Sequence, residues 1–205
     1  MGKEALAVER TVLFRDMEFE GFMELDKFNF ISVILDNYIY HLRGDELEHN
    51  DSLQQIIPYV WIVNPVSKEV FVYRRASGKE NYSESRLMNK ISCGVGGHID
   101  REDSDNPIEN AMMRELMEEV KMEEYPKPKI IGYINDDSDS VGKVHFGIVA
   151  LAESIHKVEK GDDEMVEGKF YSIEELDKLL ADSNNEADNW TRISWPFIKN
   201  YLNRI

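Results

Sequence analysis

Three glutamates that could bind a metal ion lie close together in the middle of the chain, at Glu115, Glu118 and Glu119. Spacings of one, three and four residues put them on one side of a helix. Glutamates three or four residues apart repel each other by about 0.2–0.5 kcal/mol per pair, and the dipole near a helix C-terminus adds to that cost. A divalent cation would remove both costs, because Mg²⁺ binds carboxylate oxygens. The pattern therefore indicates either a metal site or a solvated charged face.

The helix that carries these glutamates is predicted to begin at Pro107. Asn106 suits the N-cap, Pro107 suits the first helical position, and Glu109 falls three residues after the cap, as in a capping box. The apolar residues expected to form the buried face of this helix are Met113, Leu116, Met117 and Val120.

The segment from Arg114 to Met122 reads R-E-L-M-E-E-V-K-M, and Gly96-Gly97-His98 precedes it. It resembles the second half of the Nudix hydrolase signature, G-x5-E-x7-R-E-U-x-E-E-x-G-U, in which U is a bulky aliphatic residue. Two features depart from that signature. Gly97 and Arg114 are 17 positions apart, three more than in the signature, and Lys121 occupies the position of the second glycine.

The first glutamate of the signature is also replaced. Counting forward from Gly97 puts its position at Asp103, whereas counting back from Arg114 puts it at Asn106, the expected N-cap. An altered first half would also suit a non-catalytic Nudix-fold module that binds a nucleotide and regulates a partner. The intact Arg114 and the three helix glutamates favour catalysis.

The resemblance implies hydrolysis of a diphosphate linkage in a nucleoside diphosphate joined to another group. Carboxylates would hold Mg²⁺ or Mn²⁺, which neutralises the diphosphate charge and activates a water molecule. Glu118 and Glu119 would be metal ligands. Glu115 would be a further ligand or the catalytic base, and Arg114 would orient these carboxylates. The turn at Gly96 and Gly97 would let the backbone approach the phosphates closely.

Three further residues are candidates for the site. Arg74 and Arg75 end a predicted strand and should point to opposite faces, so that one of them could meet a phosphate. The resemblance implies an additional acidic residue in the loop before a late strand, and Glu164 is our choice for it. Asp163 and Glu167 are its nearest competitors.

Composition limits the partners. The chain has 205 residues and a formal net charge of −16, which disfavours nucleic acid and anionic membranes and favours a small nucleotide or other diphosphate substrate reached through metal ions. The single cysteine, Cys93, excludes an internal disulfide, and no apolar run reaches the roughly 18 residues that span a bilayer. We therefore expect a cytoplasmic protein, and the aromatic N-terminal part is compatible with a homodimer.

The elements around the signature predict an α/β fold, a Nudix-like α/β/α sandwich around a mixed sheet with an N-terminal helical extension. The extension would span residues 1–57, with one helix from Asp26 to Gly44 and a second ended by Pro58. The Nudix domain would span residues 58–205. The strands and helices predicted within it are a hairpin of 59–63 with 69–73, strands over 130–134, 144–151 and 169–171, and helices from Ser172 and Ser194.

Overall fold

The structure is a computed structural model that describes residues 3–76, 89–161 and 165–205. The strands are β1 (Glu4–Glu9), β2 (Gly21–Glu24), β3 (Ile39–Leu42), β4 (Leu53–Asn64), β5 (Glu69–Arg75), β6 (Ile91–Ser92), β7 (Gly94–Val95), β8 (Val120–Met122), β9 (Lys129–Asn135), β10 (His145–Glu153), β11 (Val158–Lys160) and β12 (Met165–Ser172). The helices are α1 (Arg10–Leu13), α2 (Phe30–Asn37), α3 (Asp45–Glu48), α4 (Pro107–Glu119), α5 (Ile173–Ala181) and α6 (Asn189–Arg204).

Two compact units make up the chain. The first unit consists of Met1–Tyr59, Gly96–Met112 and Ile130–Ala150. The second unit consists of Val60–Val95, Met113–Lys129 and Leu151–Ile205. Strands β4 and β10 and helix α4 contribute residues to both units.

In the first unit, the strands follow the order β4-β10-β9-β2, and β1 pairs with both β3 and β4. The pairs β1–β3, β1–β4 and β2–β9 are all antiparallel. An aromatic cluster forms much of this core, with ring centroids 5.1 to 6.4 Å apart between neighbours. Its members are Phe14, Phe19, Phe30, Tyr133 and Phe146. These rings bury apolar surface from strands and helices alike, which stabilises the unit.

In the second unit, the strands follow the order β12-β5-β4-β10, with β6 beside β5 and β7 beside β4. The β4–β5 hairpin and the β5–β12 pair are antiparallel. Trp195 of α6 stacks on Trp61 of β4 with ring centroids 5.9 Å apart, and the Trp61 indole N–H donates to Ser194 Oγ at 3.1 Å. A separate antiparallel pair, β8 with β11, follows the C-terminal end of α4.

Most of the elements predicted for residues 58–205 are present. Helix α4 begins at Pro107 as predicted, and the capping box of Ser172 and Glu175 opens α5. Helix α6 begins five residues earlier than predicted, at Asn189, because Asp188 accepts the N–H of Thr191 as its N-cap.

The helical prediction for the N-terminal extension is wrong in detail. Helix α2 ends at Asn37, and the chain continues as strand β3, which pairs with β1. The second predicted helix is absent from the described residues, since Pro58 lies inside strand β4. The boundary placed after residue 57 also falls within β4, and the division of the chain into an extension and a Nudix domain stays a prediction.

Candidate active site

The C-terminal half of helix α4 holds the carboxylates of the signature. Arg114 donates from Nη1 to Glu115 Oε1 at 2.6 Å and to Glu118 Oε2 at 3.3 Å. Glu115 is 9% exposed, whereas Glu118 is exposed and Glu119 is half-buried. Arg114 therefore pairs with two of the three glutamates, and its role in orienting them around a metal ion stays a prediction.

The buried face of α4 differs from the predicted one. Met117 is 55% exposed, and Met113 is only half-buried. Leu116 and Val120 are buried as predicted, and the residues buried in addition to them are Ile108, Ala111, Met112 and Glu115. The buried face of α4 is rotated relative to the predicted one, because it includes Glu115 and excludes Met117. A pattern of apolar residues cannot identify a buried glutamate.

Burial raises the pKa of the Glu115 carboxyl above its ordinary value. Its pairing with Arg114 opposes this shift, and the negative charge of Glu118 adds to it. A carboxylate with a raised pKa accepts a proton more readily near neutral pH than an exposed one. Glu115 thus has the properties of either a base or a group that needs a cation nearby.

A close backbone contact holds the C-terminal end of α4. The Gly161 N–H donates to the Glu119 carbonyl oxygen at 2.7 Å, next to the β8–β11 pair. A Cβ atom on Gly161 would lie 2.8 Å from the Glu118 oxygen and equally close to the Glu119 carbon and the Val120 nitrogen. Gly161 was not among the predicted site residues, although a glycine beside a charged loop could have indicated a close approach.

Lys121 replaces the second glycine of the signature without backbone strain. It lies in strand β8 opposite Glu159, and its side chain is exposed. An extended, exposed position accepts a lysine as readily as a glycine.

The glycine turn belongs to the first unit. Gly96 lies against Pro58, because a Cβ atom at Gly96 would be 1.9 Å from the Pro58 carbonyl oxygen. This contact explains why a glycine is required at Gly96. A role of Gly96 and Gly97 in substrate binding stays a prediction.

The two candidates for the missing first glutamate have different surroundings. Asp103 is 5% exposed, and its Oδ2 accepts the backbone N–H of Asp100 at 2.8 Å. Asn106 is exposed, and its carbonyl oxygen accepts the N–H of Asn110 at the start of α4. Asp103 therefore stabilises a turn, and Asn106 lies where the N-cap was predicted.

Arg74 and Arg75 have different contacts, as their alternation along β5 predicts. Arg74 donates to the Asn89 carbonyl oxygen at 2.8 Å and to Asn185 Oδ1 at 3.2 Å. The Arg75 guanidinium lies 5.6 Å from the centroid of the Tyr73 ring. The pKa of the buried Tyr73 is raised chiefly by burial, and the negative charge of Glu119 contributes. Arg75 thus lies on the same face of β5 as Tyr73, whose pKa is affected by the charge of Glu119.

Of the three acidic residues predicted for the loop before the late strand, the structure describes one. Glu164 and Asp163 lie outside the described residues. Glu167 is exposed in β12, opposite Arg74. The choice of Glu164 stays a prediction.

A second group of possible metal ligands was not predicted from the sequence. The ligating atoms of Glu48, His98 and His145, all in the first unit, lie within 4.8 Å of one another. The three glutamates of α4 do not form such a convergent set among the residues that the structure describes. The sequence pattern gives no signal for this cluster, because Glu48 precedes His98 by 50 positions and only the fold brings these residues together.

Comparison with known proteins connects this geometry to a family. A model of the NUDIX domain matches residues 55–192. Protein YmaB of Bacillus subtilis (strain 168) is 36% identical over 165 residues, which cover 74% of this chain and 74% of that protein.

Solved structures agree with this match. The crystal structure of Tm1382, a protein classed with the Nudix hydrolases, is similar with a TM-score of 0.77 at 26% identity, over 97% of this chain and 99% of that chain. The NUDIX domain of Shewanella oneidensis NrtR, solved with ADP ribose, has a TM-score of 0.50 at 16% identity, over 70% of this chain and 86% of that chain, and supports the fold alone. These similarities confirm the α/β sandwich around a mixed sheet. None of the described helices is long and apolar enough to cross a membrane.

Proposed function

The chain belongs to the Nudix family, and from this premise we propose that it hydrolyses a diphosphate linkage in a nucleoside diphosphate joined to another group, with Mg²⁺ or Mn²⁺ as cofactor. Family membership supports an enzyme of the pyrophosphohydrolase type. The observation that carries the proposal is the arrangement on α4, where Arg114 holds the buried Glu115 and the exposed Glu118 together.

The side chains on α4 fit a hard divalent cation. Three carboxylates offer only oxygen ligands, which Mg²⁺ and Mn²⁺ prefer. The pKa of the buried Glu115 is raised because Arg114 only partly offsets the effects of burial and of Glu118. A cation beside Glu115 would supply the positive charge that its carboxylate lacks. The bound ion would neutralise the diphosphate and make a water molecule nucleophilic.

The chain's own residues then have distinct roles. Glu118 and Glu119 would hold the ion, and Arg114 would orient these carboxylates. Glu115 accepts a proton from the attacking water at its carboxylate as the bond between water and phosphorus forms and the P–O bond of the leaving group breaks. Arg75 binds a substrate phosphate from the Tyr73 face of β5.

A screen of substrates with Mg²⁺ and then Mn²⁺ tests this proposal. The panel contains dinucleoside polyphosphates, nucleotide sugars, nucleoside triphosphates and ADP-ribose, and the nucleotide products are separated by chromatography. Glu118→Gln and Glu119→Gln should each lower kcat by at least tenfold, because outer-shell partners of metal ligands alone are worth about 10–100-fold. The matched control is Glu124→Gln, an exposed glutamate beyond the end of α4, which should leave kcat unchanged.

The outcomes separate two functions. Equal turnover in the parent and in both helix variants at saturating Mg²⁺ would refute the ligand assignment. Tight binding of a nucleotide with no turnover of any substrate would instead favour a non-catalytic module. The use of Asp103 in a backbone turn is the observation that keeps this alternative in view, because the signature has a glutamate in that region.

A further inference from the structure

The first unit contains a cluster of metal-ligating side chains that is separate from the carboxylates of α4. We propose that Glu48, His98 and His145, assisted by Gln55, bind one divalent transition-metal ion of the Zn²⁺ type. All four residues belong to the first unit, whereas Glu115, Glu118 and Glu119 belong to the second. The inference does not depend on the hydrolytic function proposed above.

The distances within the cluster suit a site that contracts slightly around an ion. His98 Nε2 lies 4.0 Å from Glu48 Oε1 and 2.8 Å from Gln55 Oε1, and the ligating atoms of the three main residues lie within 4.8 Å of one another. Ligand atoms that are about 2.1 Å from a common ion are about 3–3.5 Å apart at octahedral or tetrahedral angles. Side-chain movements of about 1 Å would therefore complete the coordination.

The position of His145 favours coordination through Nε2. Its Nδ1 lies 2.8 Å from the Val141 carbonyl oxygen, so the N–H is at Nδ1 and donates to that oxygen. The neutral ring then carries its lone pair on Nε2. A metal-binding histidine commonly has this arrangement, in which one ring nitrogen donates to a carbonyl and the other binds the ion. The rings of His145 and His98 are 5.6 Å apart between centroids.

Gln55 adds a further possible donor atom, its Oε1, to the cluster. Its side chain is fully buried, and among the described residues its Nε2 has no hydrogen-bond partner. Its Oε1 faces His98 Nε2. An ion would accept Oε1 as a ligand, provided that the His98 proton moves from Nε2 to Nδ1.

The donor set selects the kind of metal. Two imidazoles and one carboxylate suit Zn²⁺, Co²⁺ or Fe²⁺, whereas Mg²⁺ takes oxygen ligands and retains several waters. The side chains of His98 and Glu48 are 10% and 17% exposed, so that an ion would be largely shielded from solvent. Mg²⁺ at millimolar concentration should therefore leave this cluster open to Co²⁺.

Titration of the full chain with Co²⁺ in the presence of saturating Mg²⁺ tests the proposal, with visible absorption and calorimetry as readouts. We expect one equivalent of Co²⁺ to bind, with a d–d spectrum typical of nitrogen ligands. His98→Ala and His145→Ala should each lower the affinity by at least tenfold. The matched control is His156→Ala in the second unit, where His156 Nδ1 pairs with Glu123 at 3.0 Å, and it should bind Co²⁺ as the parent does.

Two further measurements keep the result interpretable. Zn²⁺ should raise the melting temperature of the parent and of His156→Ala but not of His145→Ala, because an ion that binds only the folded state stabilises it. If a histidine variant does not fold, Glu48→Gln replaces it, because this change removes a charge from a half-buried position and should lower Co²⁺ affinity about tenfold. Absence of Co²⁺ binding in the folded parent, or unchanged binding in these variants, would overturn the proposal and leave a hydrogen-bonded cluster only.

Discussion

Replacement of Gly161 by alanine should disrupt the end of the signature helix. The glycine N–H donates to the Glu119 carbonyl oxygen at 2.7 Å. A Cβ atom would lie 2.8 Å from three backbone atoms, the Glu118 oxygen, the Glu119 carbon and the Val120 nitrogen. Backbone atoms at a helix end cannot move aside as a flexible side chain can, so β11 must shift away from β8.

The expected magnitude follows from two effects. Loss of the hydrogen bond costs about 0.5–1.5 kcal/mol, and forcing an additional carbon into a packed position costs about 1–3 kcal/mol. We therefore expect the free energy of unfolding to fall by about 1.5–4.5 kcal/mol. The carboxylates of Glu118 and Glu119 should also be displaced, because the shift acts on their own backbone.

Urea unfolding and kinetics measured on the same preparations test this expectation. Gly161→Ala should lower the midpoint with an unchanged m-value, and it should require more Mn²⁺ for half-maximal activity. The matched control is Lys160→Ala at the preceding residue, where the side chain is exposed and the change should be within about 0.5 kcal/mol.

Equal stability and equal Mn²⁺ dependence of Gly161→Ala and Lys160→Ala would contradict this expectation. A loss of stability with unchanged Mn²⁺ dependence would show that the contact is structural and that the metal ligands do not depend on it.

Three other perturbations test individual residues. Glu115→Gln should become more stable relative to the parent as pH rises from 4 to 8. The pKa of Glu115 is raised in the folded parent, so the folded parent binds more protons than the unfolded chain and loses stability as pH rises through that pKa. A difference in unfolding free energy that does not change with pH in urea titrations would contradict this. Asp103→Ala should cost about 0.5–1.5 kcal/mol by removing the acceptor of the half-buried Asp100 N–H, and Asn106→Ala should cost about 0.5–2 kcal/mol as a lost N-cap. Turnover should be retained in both variants; a folded Asn106→Ala variant without activity would mean that Asn106 has the role of the first glutamate. Arg75→Ala should raise KM by about tenfold or more through a lost charged hydrogen bond to phosphate, whereas Arg74→Ala should lower stability and leave KM unchanged, as steady-state kinetics would show.

The part of the fold that local signals determine could be predicted from the sequence. The proline at position 107 and the capping box at Ser172 fix where α4 and α5 begin. The hairpin of β4 and β5 follows from two β-branched runs around a turn, in which Asn64 Oδ1 accepts the N–H groups of Val66 and Ser67. Such signals depend on residues only a few positions apart, so the sequence alone contains them.

The N-terminal part could not be predicted in the same way, because its structure depends on distant partners. Phe28, Ile31, Leu35 and Tyr38 have helical spacing, yet the chain becomes strand β3 at Ile39, since β1 offers an antiparallel partner. Leu42 is 66% exposed as a result. Here the pairing of β3 with β1 overrides the helical pattern. The two strands lie more than 30 positions apart in the sequence, and apolar spacing carries no information on such a distant partner.

Lys121 stands where the signature has its second glycine, and a glycine elsewhere in the chain contacts the end of α4. A glycine near the end of α4 is useful where a second backbone must come close, because a Cβ atom would block it. In this chain the close approach occurs at Gly161 instead, directly after the strand opposite Lys121, where the N–H donates to the Glu119 carbonyl oxygen. Lys121 itself is extended and exposed, so that its side chain meets no obstacle. If Gly161 has taken the role of the signature glycine, Lys121→Gly should leave kcat unchanged. Adding Lys121→Gly to Gly161→Ala should not restore the stability that Gly161→Ala loses.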